Sequence, residues 1–210
     1  MTNIIESLNW RYATKAYDSS KKLTQEQINN LLEVIRLSPS SYGLQPYKVI
    51  HVKTAETREK LKAASWVQIQ ITDASDLLVF AVPTNLSDKD VDDFINLVAT
   101  VRGAQAEQLK GYADMIKGSI NGRDDAGKVS WAAKQAYIAL GLLLEAAALE
   151  KIDATPMEGF DNAQYNEILG LNEQNLTAVV VATLGYRSDT DEYINLKKVR
   201  KDIKDLVIEK

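Results

Sequence analysis

Residues 130–150 read SWAAKQAYIALGLLLEAAALE, and the reading of this stretch decides the fold. Trp131, Ala132, Ala136, Tyr137, Ile138, Leu140, Leu142, Leu143, Leu144, Ala146, Ala147 and Leu149 spread apolar groups around nearly the whole circumference of a helix. A helix without a polar face has to be buried, either at a domain centre or against another subunit. Its longest apolar run, near Ala136–Leu149, is broken by Gly141 and Glu145. That run is shorter than the roughly 20 residues a bilayer span requires, so a core helix is expected.

Working outward, Thr24 and Gln27 form a capping-box pattern, and Ile28, Leu31, Leu32 and Ile35 then fall on one face of a second helix. That helix should end before Ser38-Pro39, because the residue preceding proline disfavours helical geometry. A first short helix carries Ile4, Ile5 and Leu8. Tyr47–Val52 reads as a strand, with His51 in a core or edge position, and Thr54–Ala64 reads as a polar-faced helix. Leu77–Val82 is a continuous apolar run, the pattern of a buried strand. Ser87 should cap a long helical region through Val91, Phe94, Ile95 and Val98, bending at Gly103 and continuing past Tyr112 to a loop at Asn121-Gly122. Leu176–Leu184 reads as another buried strand, and Tyr193–Lys210 as an arm that packs against a partner. Few strands and long helices predict an α+β architecture, a central sheet flanked by helices, in one domain spanning 1–210.

Composition acts by exclusion. The 210 residues carry a net charge of −4, so nothing electrostatic favours nucleic acid or an anionic membrane. There is no cysteine and one histidine, which removes disulfides, thiolate nucleophiles and multi-histidine or cysteine metal sites; no metal is expected. MTNIIESLNWRYATK lacks the apolar stretch of a signal peptide, and a cytoplasmic location is expected. No nucleophile elbow, phosphate-binding lysine loop or dinucleotide glycine fingerprint occurs. A bound cofactor is therefore the expected carrier of any chemistry, with carboxylate catalysis the alternative.

Four polar islands interrupt the apolar pattern: Arg11-Tyr12-Ala13-Thr14-Lys15, Ser38-Pro39-Ser40-Ser41-Tyr42-Gly43-Leu44-Gln45-Pro46, Pro156-Met157-Glu158-Gly159-Phe160-Asp161 and Lys198-Val199-Arg200. Taken singly, each has an ordinary reading as solvated charge or turn. In this order they resemble the R-x-S-x-K, S-P-S-S-x-x-x-Q-P-W, P-x-E-G-F and K-x-R segments of the nitroreductase family. The likeness covers essentially the whole chain and points to the subgroup of oxygen-insensitive nitroreductases and dihydropteridine reductases.

The resemblance implies a mainly antiparallel sheet in an intertwined homodimer, FMN at the interface, and hydride transfer from NAD(P)H to quinones, nitroaromatics or similar small acceptors by a ping-pong exchange. Dihydropteridine or enone reduction on the same scaffold, or flavin storage without rapid turnover, are the alternatives. By the same resemblance Arg11, Lys198 and Arg200 meet the FMN phosphate and Lys15 the pyrimidine edge of the flavin, beside Tyr12 and Ala13. Pro39, Ser40, Ser41 and Gly43 reach the cofactor from the second subunit, and Gln135 looks toward the same site. Glu158 and Gly159 match the turn whose N–H groups face flavin N5, with Pro156 and Met157 beside them as further cofactor contacts. No side chain is expected to act as nucleophile. Tyr42, Phe94 and Tyr112 are candidates to line the substrate pocket, and Tyr112 reads equally well as a core aromatic. Three departures stand out: Ala13 replaces a family serine, Gly43 stands where asparagine is frequent, and the usual asparagine and lysine before the buried strand are missing. Gln68 and Gln70 are the nearest candidates there for cofactor contact.

Overall fold

The structure is a computed structural model describing residues 2–210. In chain order its elements are α1 (Thr2–Trp10), α2 (Gln25–Leu37), β1 (Lys48–His51), α3 (Ala55–Ala63), α4 (Gln70–Asp73), β2 (Asp76–Pro83), α5 (Asp88–Arg102), α6 (Lys110–Asn121), α7 (Asp125–Leu149), β3 (Asp153–Met157), α8 (Asn162–Ile168), β4 (Leu176–Gly185) and α9 (Ile203–Leu206). The four strands form one sheet in the order β1-β2-β4-β3, antiparallel throughout.

The apolar runs of β2 and β4 are continuous because both faces of the sheet are covered. Leu78, Phe80 and Val82 point to the face covered by α2 and α7, with Val180, Ala182 and Leu184 beside them. Leu77, Val79 and Ala81 point to the opposite face, where Leu61 of α3 and Tyr165 of α8 pack. Between Phe80 and Ala81 the register with β4 slips by one residue, a bulge in the middle of the sheet. Helices α5 and α6 form a separate layer around Val91, Ile95, Ile116 and Ile120.

The capping box of α2 is present as expected: Gln27 N–H donates to Thr24 Oγ1 (3.1 Å) and Thr24 N–H to Gln27 Oε1 (2.9 Å). His51 lies on the edge strand β1, with Nε2 at 2.7 Å from Asp76 Oδ1. The helix from Ser87 breaks at Gly103 and resumes as α6.

Three features differ from the sequence expectations. Strand β3 was not anticipated: Pro156 and Met157, read as the start of a polar island after the core helix, lie in an edge strand. Helix α7 starts at Asp125, five residues before Ser130, where the Asp124 carboxylate accepts the Gly127 N–H (2.8 Å). And α7 is not enclosed within one chain. It is long and apolar enough to cross a membrane, and it packs with α2 over the sheet, yet Ile138, Leu142 and Leu149 remain exposed on its outer side.

Helix α3 hides a cation that its polar pattern does not announce. Arg58 is 8% exposed and donates to three backbone carbonyls: Val52 (3.1 Å), Ala74 (2.7 Å) and Ser75 (2.9 Å). It ties the end of β1 to the start of β2. We expect Arg58→Ala, which strands three carbonyls, to destabilise the fold by about 3 kcal/mol or more, measured by urea unfolding followed through tryptophan fluorescence.

Candidate functional site

At the C-terminal end of α1 the chain runs out as residues 11–16 and is pinned from the far end of the sequence. Asp191, 2% exposed, accepts Lys15 N–H (2.8 Å), Ala16 N–H (3.1 Å) and Tyr12 O–H (3.0 Å) on Oδ2, and Tyr193 N–H (2.9 Å) on Oδ1. Burial works against its ionisation, but the three backbone N–H donors and the Tyr12 hydroxyl outweigh it and hold the carboxyl below the usual aspartate range. The Lys198 ammonium donates to the carbonyls of Leu8 and Arg11, which draws the C-terminal segment over the end of α1.

These contacts enclose a cleft of about 540 Å³. Arg11, Tyr12, Ala13, Lys15, Pro156, Lys198 and Arg200 line it, with Trp10, Tyr193, Ile194, Leu196 and Lys197 among their neighbours. Cations therefore crowd the cleft, and its lining includes no carboxylate. Arg11 is held below its ordinary pKa, first by burial and then by the charge of Arg200. Lys198 is lowered by burial and by both arginines. The Arg11 Nε is buried and has no hydrogen-bond partner among the described residues. Mutually repelling, partly desolvated cations with a spare donor make a receptor for an anion with several oxygens.

The cleft meets the open edge of β3 at Pro156. Arg11 Nη2 donates to the Ala154 carbonyl (3.3 Å), so Ala154 turns its polar backbone away from β4. By antiparallel alternation Pro156 and then Glu158 face the same open side. Proline fits there because the position needs no N–H partner.

Beyond β3 the turn is bound on its back. Gln68 Nε2 donates to the Gly159 carbonyl (2.8 Å). A Cβ on Gly159 would sit 2.9 Å from both Gln68 Nε2 and Trp66 Cζ3, so any other residue there would displace these two side chains. The Glu158 carboxylate accepts the Tyr137 hydroxyl at 2.5 Å. Burial and this carboxylate push the Tyr137 pKa up. The pair borders a second hollow of about 480 Å³, lined mainly by apolar groups including Leu140, Leu144 and Val180 and sharing Pro156 with the first. Met157 points the other way, into the core beside α8. Gln70 is buried at the start of α4.

The second island lies elsewhere. Ser41 N–H donates to Gln135 Oε1 (2.8 Å), and Gln135 Nε2 donates to the Trp131 carbonyl (3.0 Å). Ser40 Oγ accepts the Gln45 N–H (2.9 Å), and Pro39 is exposed. Gly43 has φ +79°, a value glycine and asparagine tolerate best, and its Cα faces Phe94. Tyr112 O–H donates to the Tyr42 carbonyl (2.9 Å), so Tyr42, Phe94 and Tyr112 do gather in one place, under α5 and α6. Gln135 and Tyr137 are two residues apart, roughly 200° around α7. Within one chain the Ser40-Ser41 loop and the Glu158 turn therefore sit on opposite flanks of that helix.

Sequence reasoning missed Asp191, Tyr193, Trp66 and Tyr137 as parts of these arrangements. None sits in a motif, and only Asp191, two residues before the N–H it caps, carries a local signal.

An α+β protein with a helix-covered antiparallel sheet and a cationic cleft along its free edge is the class these features define. The chain belongs to the nitroreductase family, whose model matches residues 8–186. The match stops short of Lys198 and Arg200. A Staphylococcus saprophyticus protein named as an NAD(P)H nitroreductase is 33% identical over 208 residues, covering 95% of this chain and 94% of that one. A Bacillus subtilis crystal structure described as a nitroreductase superposes with a TM-score of 0.89 at 22% identity, covering 100% of both chains. An Exiguobacterium sibiricum structure, described as a nitroreductase in complex with FMN, gives 0.82 at 20% identity, covering 99% of this chain and 97% of that one.

Because Asp191 has a depressed pKa in the folded state, its contribution is complete above the ordinary aspartate value and is lost as pH falls through the lower folded value. Acidification below about pH 4 should therefore destabilise wild type more steeply than Asp191→Asn in urea titrations. At pH 7, Asp191→Ala, which strands buried donors, should cost about 2 kcal/mol or more.

Proposed function

We propose that the cleft binds FMN and that the protein is an FMN-dependent oxidoreductase using NAD(P)H. The observation that carries this is the orphaned, buried Arg11 Nε within the group formed by Arg11, Lys198 and Arg200. That donor set suits a dianionic phosphate monoester. The names of the family relatives supply the nicotinamide donor and nitro acceptor, and the FMN-bound neighbour supplies the cofactor class.

When bound, FMN would take a hydride from NAD(P)H and pass the electrons to a quinone, nitroaromatic or similar small acceptor in a ping-pong exchange. The protein's own groups then bind and tune. Arg11, Lys198 and Arg200 hold the phosphate. Lys15, whose ammonium lies 5.9 Å from the centre of the Tyr193 ring, keeps a fixed positive charge in the cleft that favours a negatively charged ring. Pro156 and the apolar hollow beside it shield ring surface from water. The Glu158 and Gly159 N–H groups lie at the end of the open strand edge, where they can donate to a ring nitrogen. Tyr12, fixed to Asp191, walls the cleft.

The same reading makes the protein a homodimer. Ser40, Ser41 and Gln135 lie on the flank of α7 opposite the Glu158 turn, so a second copy has to bring them to the cofactor. The exposed Ile138, Leu142 and Leu149 and the exposed apolar tail residues Leu196, Val199, Ile203 and Leu206 are the surfaces such a copy would bury.

The test begins with the absorption spectrum of purified protein reconstituted with FMN. We expect yellow protein that bleaches within seconds of adding NADH or NADPH under argon and recovers on adding a quinone. A yellow protein that fails to bleach would leave only storage, and a protein that takes up no FMN would remove the reading. Arg11→Ala should weaken FMN about ten- to hundredfold, the value of one charge-assisted donor set, by fluorescence titration. Lys15→Ala should instead move the flavin potential with little change in affinity. Sedimentation of the FMN complex as a monomer would contradict the assignment of Ser40 and Ser41.

A further inference from the structure

We propose that Gln68 is a positioning residue: its side-chain amide fixes the Glu158–Gly159 turn so that the turn's free N–H groups face the redox-active ring. The inference rests on the reading that FMN occupies the cleft, and it gives Gln68 a role one residue removed from the cofactor.

The turn's hydrogen bonds are distributed unevenly. Phe160 N–H donates to the Glu158 carbonyl (3.0 Å), Asp161 N–H to the Ala64 carbonyl (2.8 Å), and the Gly159 carbonyl accepts from Gln68 Nε2 (2.8 Å). Both carbonyls of the Glu158-Gly159 pair are therefore engaged. Among the described residues, the N–H groups of Glu158 and Gly159 have no such partner. The Gly159 carbonyl shares its peptide plane with the Phe160 N–H, and the Glu158 carbonyl shares its plane with the free Gly159 N–H, so the Gln68 amide orients that free donor through the Phe160–Glu158 hydrogen bond.

The segment that delivers Gln68 is held in an unfavourable shape. Trp66 (φ +52°) and Val67 (φ +61°) are both left-handed, a conformation that a β-branched residue rarely adopts. The shape is secured on the protein side. Ser65 Oγ donates to the Leu61 carbonyl (2.7 Å) and lies 2.7 Å from the Tyr165 hydroxyl, Val67 N–H donates to the Lys62 carbonyl (3.0 Å), and Gln68 N–H to the Ser65 carbonyl (3.1 Å). Its products are an indole that is 70% exposed and an amide, both in contact range of a Cβ that Gly159 lacks. Over-determined strain of this kind marks positions where geometry serves a site.

The chemistry gives the role a sign. Oxidised flavin N5 accepts a hydrogen bond; reduced flavin carries a hydrogen there and donates. An aligned N–H thus favours the oxidised form, and losing the alignment should weaken oxidised FMN more than reduced FMN.

The experiment compares wild type with Gln68→Met, which keeps length and volume but removes the donor, and with Gln68→Ala, which removes both. Each is loaded with FMN, and affinity for both redox states and the midpoint potential are measured. For both variants we expect oxidised FMN to bind about fivefold more weakly, reduced FMN to be unchanged, and the potential to rise by about 20 mV, the equivalent of that ratio for a two-electron couple. Equal weakening of both redox states, with no change in potential, would make Gln68 a direct ligand or a packing residue and overturn the proposal. So would a Met variant indistinguishable from wild type. Wild-type protein that takes up no FMN is a separate result: it removes the flavin reading and this inference with it.

Discussion

One buried carboxylate holds together the parts of the chain that make the cleft. Asp153 opens β3 at 3% exposure and accepts the Arg187 N–H (2.8 Å), the Arg187 Nε–H (2.8 Å) and the Thr14 hydroxyl (3.2 Å), with Arg187 Nη2 at 2.6 Å. The Arg187 guanidinium in turn lies over Trp10 (4.1 Å) and Tyr12 (4.6 Å). Residues 10–14, 153 and 187 are thereby locked to one another. A charge buried this deeply is tolerated only with its partners in place, so none of these segments can shift alone. The first island, the free strand edge and the exit of β4 inherit their relative positions from it, and the Asp191 contacts then fold the tail over the same point.

What the sequence disclosed follows the physics of local signals. The capping box of α2 and its apolar stripe are contained within a dozen residues and needed nothing else. The strands β2 and β4 announced themselves because burial on both faces leaves uninterrupted apolar runs. Strand β3 did not, for the opposite reason: it is five residues long and carries Asp153, Thr155 and Pro156, each with a tertiary reason to be there. Asp153 binds Arg187, the Thr155 hydroxyl donates to the Thr14 carbonyl (2.9 Å), and Pro156 faces an edge with no partner strand. A strand built from such residues has no periodicity to read.

The candidate site divides along the same line. Arg11, Lys15, Pro156, Lys198 and Arg200 were legible as motifs, and the structure collects them around one cleft. Their supports were not legible, because Asp191, Arg187 and Tyr137 reach these segments across 21 to 179 positions of sequence. Gly159 shows how one residue can have two causes. A ligand's approach is the reading from sequence, while in the structure a side chain there would also displace Trp66 and Gln68.

The cleft is also the solution to a problem every open sheet has. An edge strand with free N–H and C=O groups invites another strand to pair with it. On β3 that invitation is withdrawn residue by residue: the Ala154 carbonyl is taken by Arg11, and Pro156 has no N–H to offer. Two further donors, the Glu158 and Gly159 N–H groups, follow where the strand ends. Those devices keep other strands away, and they also place a guanidinium, a flat proline surface and then two free N–H groups in order along one edge. On the proposed reading, a phosphate and a planar ring match that order from one end to the other. Blocking the edge and building the cofactor's bed are then one arrangement, which is why a weak, proline-bearing strand sits at the centre of the function.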